Sequence, residues 1–597
     1  MSTITNGEIV TILREMAALY SMSGEPFKPQ AYEKAAMGVE EADDEMADIY
    51  TKDGLKGLEE VPGVGKSIAE HIQELISGGK LTKYDQLKKD LPVDIAGLTQ
   101  IPGIGPKTVK TLYQKLGVRN VKDLEKACKA GKVAALPHFG KSSELKILRG
   151  IVFHADQSGR FPIGLVYPVV TRILKGLEAC SLFSRVVVCG SFRRRKETVG
   201  DIDLLATAED PVKAMQHFIS IDEVAEILQQ GETKSEIRLE SGLQIDMRIV
   251  PEESWGSALQ YFTGNKAHNI KLRTMALRKG YKLSEYGVFK GAKQIAGKTE
   301  EEVYEVLGLD WVPPEMRHDA GEIEAAASHS LPHIIDYGDV IGDLQVQTNW
   351  TDGRNSIEDM ALAAAKLGRK YIAITDHTKS LAMTGGLDEQ GLIDQMKEID
   401  RLNSKMRGIT ILKGAEVNIM KDGSLDISDD VLSQLDIVGV AVHSHFTMPR
   451  AEMTERIVKA LSNPHVSMLF HPTARLINQR PPIDFDFEKV VEAARRHRVA
   501  LEVDAHPYRL DLHGALIRQA VEAGVKLVID TDAHSTAELA FIHFGEAQAR
   551  RGWATRADVL NTQPAQAVLK YLGKNSRKPR HEPKKQAHAV QRADRGI

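Results

Sequence analysis

The sequence predicts a multidomain chain with a helical amino-terminal part, a mixed α/β centre and a carboxy-terminal parallel α/β barrel. Three observations carry this reading. One glycine phrase occurs twice in the helical part, as Val61-Pro-Gly-Val-Gly-Lys66 and Ile101-Pro-Gly-Ile-Gly-Pro-Lys107. From about residue 151, β-branched runs such as Arg185-Val-Val-Val-Cys189 replace the helical pattern. Past a Pro-Pro pair at 313–314, short apolar strands alternate with amphipathic helices six times, from Tyr371-Ile-Ala-Ile to Lys526-Leu-Val-Ile-Asp530.

At 597 residues the chain is too long for a single hydrophobic core. Its 42% hydrophobic and 27% charged residues are ordinary for a globular protein. A net charge of −4 means that any nucleic-acid binding must come from local basic surface. Cys128, Cys180 and Cys189 are too few and too scattered for a disulfide framework. The first twenty residues read as an amphipathic helix without signal-peptide features, and no run of 18 apolar residues occurs, so a cytoplasmic protein without membrane attachment is expected. The tail from Lys574 carries eight Lys or Arg against Glu582 and Asp594; it reads as disordered and as an aid to non-specific DNA binding.

In the repeated phrase, Gly63, Gly65, Gly103 and Gly105 permit a tight turn between helices and close approach of the backbone to another surface. Amides at the following helix start, with Lys66 and Lys107 beside them, suit DNA phosphates without reading sequence. Each copy resembles a helix-hairpin-helix motif, and Leu136-Pro-His-Phe-Gly140 is a degraded third version.

The richest stretch is Gly190-Ser-Phe-Arg-Arg-Arg-Lys-Glu-Thr-Val-Gly-Asp201-Ile-Asp203. A strand puts residues two apart on one face, so Asp201 and Asp203 share a direction, and Asp246 lies on a later strand, Leu243-Gln-Ile-Asp-Met-Arg-Ile-Val250. Three carboxylates are what a pair of Mg2+ ions needs to activate a primer 3′-hydroxyl and clamp an α-phosphate. Gly190 and Ser191 can approach phosphate oxygens closely, with positive charge from Arg193 to Lys196.

These residues resemble the family X DNA polymerases, the group that includes DNA polymerase beta. The resemblance implies a nucleotidyltransferase palm and a thumb, with Asp201, Asp203 and Asp246 as catalytic metal-binding carboxylates for Mg2+ or Mn2+. It implies that Ser191, Arg194 and Gly200 hold the incoming deoxynucleoside triphosphate. Tyr261, Phe262 and Gly264, in Tyr-Phe-Thr-Gly, would lie against the nucleotide sugar, and Asn269 and Arg273 would contact the incoming base and the template minor groove. In polymerase beta a hairpin-helix lysine forms the Schiff base that removes 5′-deoxyribose phosphate. His71 stands at that position, and an imidazole cannot do this chemistry, so lyase activity is not expected.

After the linker, successive strand ends deliver Asp352, Asp376-His377, Glu416, His443-Ser-His445, His471, His506 and Asp530-Thr-Asp532-Ala-His534 to one barrel face. This resembles the PHP (polymerase and histidinol phosphatase) domain of bacterial family X enzymes, a distorted (β/α)7 barrel with a metal cluster that hydrolyses phosphodiesters. The resemblance implies Asp352, His377, Glu416, His443, His471, Asp532 and His534 as ligands for Mn2+ or Zn2+. Where the family opens with Asp-Leu-His-x-His, this chain has Asp343-Leu-Gln345-Val-Gln347. A neutral amide is a poorer ligand than imidazole, so the metal held there should be weak or absent, the ligand set is incomplete, and retained 3′-to-5′ exonuclease activity is not expected.

The expected organisation is a first helix-hairpin-helix domain over 1–85, a fingers-like domain with the second hairpin over 86–150, and the palm over 151–250. A thumb over 251–314, a linker over 315–335, the PHP domain over 336–573 and the basic tail over 574–597 complete it. The expected function is gap filling on gapped or primer-template DNA in base-excision or end repair, by a monomer. Two other readings fit parts of the sequence: a metal-dependent DNA 3′-end nuclease with a vestigial transferase, and a non-catalytic DNA-end scaffold. The carboxylate triad and the Ser191, Arg194 and Gly200 set favour polymerisation.

Overall fold

The computed structural model describes residues 4–573 apart from 41, 43–44, 79, 100, 102–103, 138, 142, 145–146, 149–150 and 152–158. Gly103, His138 of the degraded hairpin and the basic tail lie outside the described residues. Contacts divide the chain into two units, 1–159 with 476–481, and 160–475 with 482–597.

The first unit is helical. Its opening helix, Asn6–Ser23, begins with a capping box in which Thr5 and Glu8 satisfy each other's backbone amides, and ends at Gly24 in the left-handed conformation. Ile9, Leu13 and Met16 from one face of this helix join Ile72, Leu98 and Leu112 in one core. Both glycine phrases form turns in which a buried aliphatic residue accepts from another three residues on: Val64 N–H donates to the Val61 carbonyl (3.0 Å), and Ile104 N–H to the Ile101 carbonyl (3.0 Å). Helices Lys66–Gly78 and Pro106–Leu116 leave these turns.

The second unit opens with a five-stranded mixed sheet in the order 185–188, 201–207, 244–249, 234–239 and 224–229. Only the 201–207 and 244–249 strands run parallel. Helix Lys266–Arg278 and a three-stranded antiparallel sheet over 282–296 follow. The segment read as a linker is packed: Met316, Ile323 and Ala326 are buried with Tyr304 and Leu307. Within it, the fully buried Arg317 bonds Glu300 at 2.6 Å, and Arg193 reaches the same carboxylate at 2.8 Å. Burial alone would raise the Glu300 pKa, but Arg317 and Arg193 bring it to about 2. Removing one member of a buried pair strands the other's charge, so Glu300→Ala is expected to destabilise this region by about 3–5 kcal/mol, read as a lowered urea midpoint.

Seven parallel strands then form the barrel in sequence order, from Gly342–Val346 to Leu527–Asp530. A parallel bridge between Val346 and Ala533 and a bond from Gln347 N–H to the Ala533 carbonyl (2.9 Å) bring the first strand's end to the last. Six of the seven are buried along their whole length because their two faces meet different neighbours, while Thr410–Asn418 exposes Thr410 at its start. Leu344, Tyr371, Met468 and Phe470 fill one side, while Ile372, Ile374 and Ile411 meet Met360 and Ile399 of the surrounding helices. The sequence pattern did not mark Gly342–Val346 as a strand. Asp343 and Gln345 within it, with Gln347 just past its end, hide the apolar run, and all three are fully buried.

Candidate active site

In the mixed sheet, strand 201–207 pairs with strand 244–249 so that Asp203 lies opposite Asp246, and Asp201 opposite Gln244. The three carboxylates therefore share one edge of two parallel strands. Burial, then Asp201 and Asp246, push the Asp203 carboxyl up to about 7. Burial raises Asp246 too, with Glu236 and Asp201 adding to it against a Gln244 hydrogen bond. Crowded carboxylates that resist ionisation in the bare protein are the arrangement that divalent cations relieve.

The Gly190 turn is fixed by this cluster. Gly190 has φ +59°, and a Cβ there would stand 2.0 Å from Asp203 Oδ2, so no other residue fits. Arg194 lies one turn on and donates to the Thr263 carbonyl, close beside Gly264. Burial, then the charges of Arg551, Arg317 and Arg160, push its guanidinium down to about 10. Such a surplus of neighbouring positive charge suits a polyanion. Arg160 Nη1 also lies against Gly200, and its Nη2 donates to the Thr198 carbonyl at 2.6 Å.

Asn269 is held between two partners. Its Oδ1 accepts from Gln260 Nε2 (2.8 Å), and its Nδ2 donates to the Tyr261 carbonyl (2.7 Å). Phe262 lies edge-on to Tyr261 and under Arg248. Arg273 is exposed on the same helix as Asn269, Lys266–Arg278. Ser191 is half-buried in the short helix that Gly190 opens.

In the helical unit, Gly63, Gly65, Lys66 and Gly105 are exposed. Gly63 has φ +82°, and a Cβ there would meet the Lys34 carbonyl oxygen at 2.5 Å, so this turn requires glycine. The side chain of Lys107 lies outside the described residues. His71 Nδ1 and the Tyr32 hydroxyl are hydrogen-bonded at 2.8 Å, and burial lowers the imidazole pKa.

At the barrel mouth the predicted ligands converge on Glu416. Its Oε1 is bonded by His443 Nε2 (2.9 Å) and His471 Nε2 (2.8 Å), and His377 Nδ1 lies 3.6 Å from Oε2. Burial would raise Glu416, but His377, His443 and His471 hold it well below the carboxylate range. A second group gathers Asp352, His377 and His534, with ligand atoms within 4.8 Å of one another. Asp532 turns its Oδ2 toward Arg509 (3.3 Å) and lies 4.0 Å from His534.

Gln345 and Gln347 change what Glu416 can do. Their amide nitrogens both donate to Glu416 Oε2, at 3.0 and 2.8 Å, and both Oε1 atoms are buried without a hydrogen-bond partner. Protein N–H groups thus face the carboxylate where cation-binding imidazoles would stand. A cation shared between this pair and Glu416 does not fit these residues, whereas one at Asp352, His377 and His534 does.

Sequence reasoning missed Glu502 and Asp504 among the buried acids behind this cluster, and it named Asp343 and Asp530 without giving them a role. Glu502 accepts from the His471 amide, Asp504 from the His506 amide (2.7 Å), Asp343 from Thr531 Oγ1 (2.6 Å) and Asp530 from the Leu344 amide (2.6 Å). These carboxylates tie down the loops that carry the ligands. The Glu502-x-Asp504 spacing, identical to Asp201-x-Asp203, was a readable sign of them.

Comparison with known proteins places the chain in a family. Family models match in chain order: a helix-hairpin-helix domain over 4–81, a SAM-like helix-hairpin-helix tandem over 95–151, the DNA polymerase beta palm over 163–255, the DNA polymerase beta thumb over 258–318 and a PHP domain over 343–509. The chain is 37% identical over 573 residues to the DNA polymerase/3'-5' exonuclease PolX of Bacillus subtilis, covering 95% of this chain and 99% of that protein. It is 28% identical to DNA polymerase lambda of Arabidopsis thaliana, over 52% of this chain and 62% of that one. The corresponding figures for DNA polymerase lambda of Rattus norvegicus are 27%, 53% and 57%. Matched at 37% identity along nearly its whole length by a DNA polymerase/3'-5' exonuclease PolX, and by the palm, thumb and PHP models in that order, the chain belongs to the family X DNA polymerases that carry a carboxy-terminal PHP domain.

Proposed function

We propose that this chain is a template-directed DNA polymerase that fills short gaps during base-excision or end repair, using Mg2+ or Mn2+. The observation that carries it is the register placing Asp203 opposite Asp246, with Asp201 two residues away and Gly190 pressed against Asp203. Asp201, Asp203 and Asp246 would hold two divalent ions, which when bound lower the pKa of the primer 3′-hydroxyl and neutralise charge on the transferring phosphate.

The chain's own groups do the positioning. Gly190 leaves room for phosphate oxygens beside the acids. Ser191, Arg194 and Gly200 hold the triphosphate, and Tyr261, Phe262 and Gly264 line the sugar. Asn269 and Arg273 reach the base pair and the template. Gly63, Gly65 and Lys66 in one hairpin, with Gly103, Gly105 and Lys107 in the other, grip the DNA backbone. The three cysteines are unpaired, in keeping with the cytoplasm, and the protein works there as a monomer. Among the described residues no helix is long and apolar enough to cross a membrane.

The barrel is the weaker catalyst on this reading. Asp352, His377 and His534 are suited to one Mn2+ or Zn2+, with Glu416, His443, His471 and Asp532 beside them, but Gln345 and Gln347 deprive the cluster of imidazoles. The test is nucleotide incorporation and 3′-end degradation measured on the same one-nucleotide gap with each metal. Extension should dominate. Degradation without extension would overturn the reading in favour of a nuclease, and neither activity would leave a DNA-end scaffold.

A further inference from the structure

The loop that carries Arg194 is held from the far side by the barrel. Arg551 Nη1 donates to the Arg194 carbonyl at 2.8 Å, and Gln548 Nε2 to the Arg195 carbonyl at 3.1 Å; both belong to the end of helix Ile542–Arg551. Arg475 Nη1 bonds Glu197 Oε1 at 3.2 Å while its other nitrogens bond the Arg509 and Leu510 carbonyls of the barrel. Between these grips, Arg195 has φ +53°, a conformation that costs a non-glycine residue energy and persists only where the surroundings impose it. Its guanidinium lies over the rings of Tyr167, Phe192 and Tyr337. Tyr167 in turn meets Phe544 of the same barrel helix.

We propose that the PHP barrel is a positioning element of the polymerase site, in which Arg551, Gln548 and Arg475 set the backbone of 194–197 so that Arg194 faces the incoming triphosphate. This rests on the reading of Arg194 as a triphosphate ligand. Three carbonyl or carboxylate acceptors in four consecutive residues are taken by barrel donors, so the loop has little freedom left. Two of those donors, Arg475 and Arg551, together with His513, also bring the buried Glu197 carboxyl down to about 2 although burial would raise it, which keeps the anchoring ion pair charged at any working pH. The inference accounts for a barrel kept on a chain whose hydrolytic cluster has lost imidazoles: it serves synthesis instead.

The test is steady-state incorporation into one-nucleotide-gapped DNA by the full chain, with KM for the deoxynucleotide, kcat and DNA affinity measured separately. Arg551→Met is expected to raise KM about 10-fold and Gln548→Met about 3-fold, with DNA affinity unchanged, because a displaced ligand weakens one contact and not the whole fold. Arg551→Lys, which keeps a donor, should recover part of the loss. In the double variant Arg194→Ala with Arg551→Met, KM should match that of Arg194→Ala alone, since both changes act through one contact. Multiplying effects, or a lower kcat at unchanged KM, would overturn the proposal. If Arg551→Met does not fold, Gln548→Met and Arg551→Lys decide it: unchanged KM in both overturns it. If Arg194→Ala itself leaves KM unchanged, the triphosphate reading falls; if Arg194→Ala raises KM and the barrel variants do not, only the positioning role falls.

Discussion

Asp203→Asn is expected to lower primer extension by at least about 10^3-fold, because it removes the central charge of the three-carboxylate cluster proposed to hold two cations. The same change should stabilise the metal-free protein at neutral pH. The Asp203 carboxyl titrates at about 7 in the fold against 3.8 in a free chain. A carboxyl whose pKa is raised on folding binds its proton more tightly in the native state. Its contribution is therefore complete at pH below about 4 and is lost as pH climbs through 7. At pH 8 the ionised group costs on the order of 4 kcal/mol, which asparagine avoids. Thermal unfolding in a chelator should show the variant more stable than wild type at pH 8 and equal to it at pH 4. A variant with full extension activity, or one without this pH-dependent gain, would mean that the three acids do not act as one cluster.

Restoring imidazoles in the barrel should have the second largest effect. In Gln345→His with Gln347→His, the amide donors now facing Glu416 Oε2 at 3.0 and 2.8 Å are replaced by rings able to offer lone pairs to a cation. Affinity for Mn2+ should rise on the order of 10–100-fold, the size of change seen when groups supporting a metal site are altered. Metal analysis after dialysis against a fixed Mn2+ concentration should find more of the ion per chain than in wild type. Degradation of 3′ ends should increase with it, while gap-filling extension stays the same. Equal metal content in both proteins would show that the glutamines are not what limits the cluster.

Most of the polymerase chemistry was legible because its residues lie in short phrases. Gly190, Asp201 and Asp203 fall within fourteen residues, and strand alternation alone says that the two acids point the same way. The third acid could be nominated by its apolar flanks. Its distance from Asp203 could not be read, because parallel pairing of strands more than forty residues apart is a tertiary choice. In the barrel, the order of strand ends disclosed Glu416 and the histidines that meet at it. The opening strand was missed because Asp343, Gln345 and Gln347 are polar residues in a buried run, and only their partners make that burial tolerable.

By itself the sequence determined which residue types are available at each turn and strand end, and thus the family, the three candidate acids and the glutamines at 345 and 347. Tertiary structure decided how the barrel and the polymerase core meet. The residues of that contact, Arg475, Gln548 and Arg551 from the barrel with 194–197 from the palm, lie about 280 to 355 positions apart. Arginines and a glutamine on helices and loops look like solvated surface in any sequence. They become interior groups only when another part of the chain brings a carbonyl or carboxylate within reach, and that depends on packing geometry rather than on local pattern.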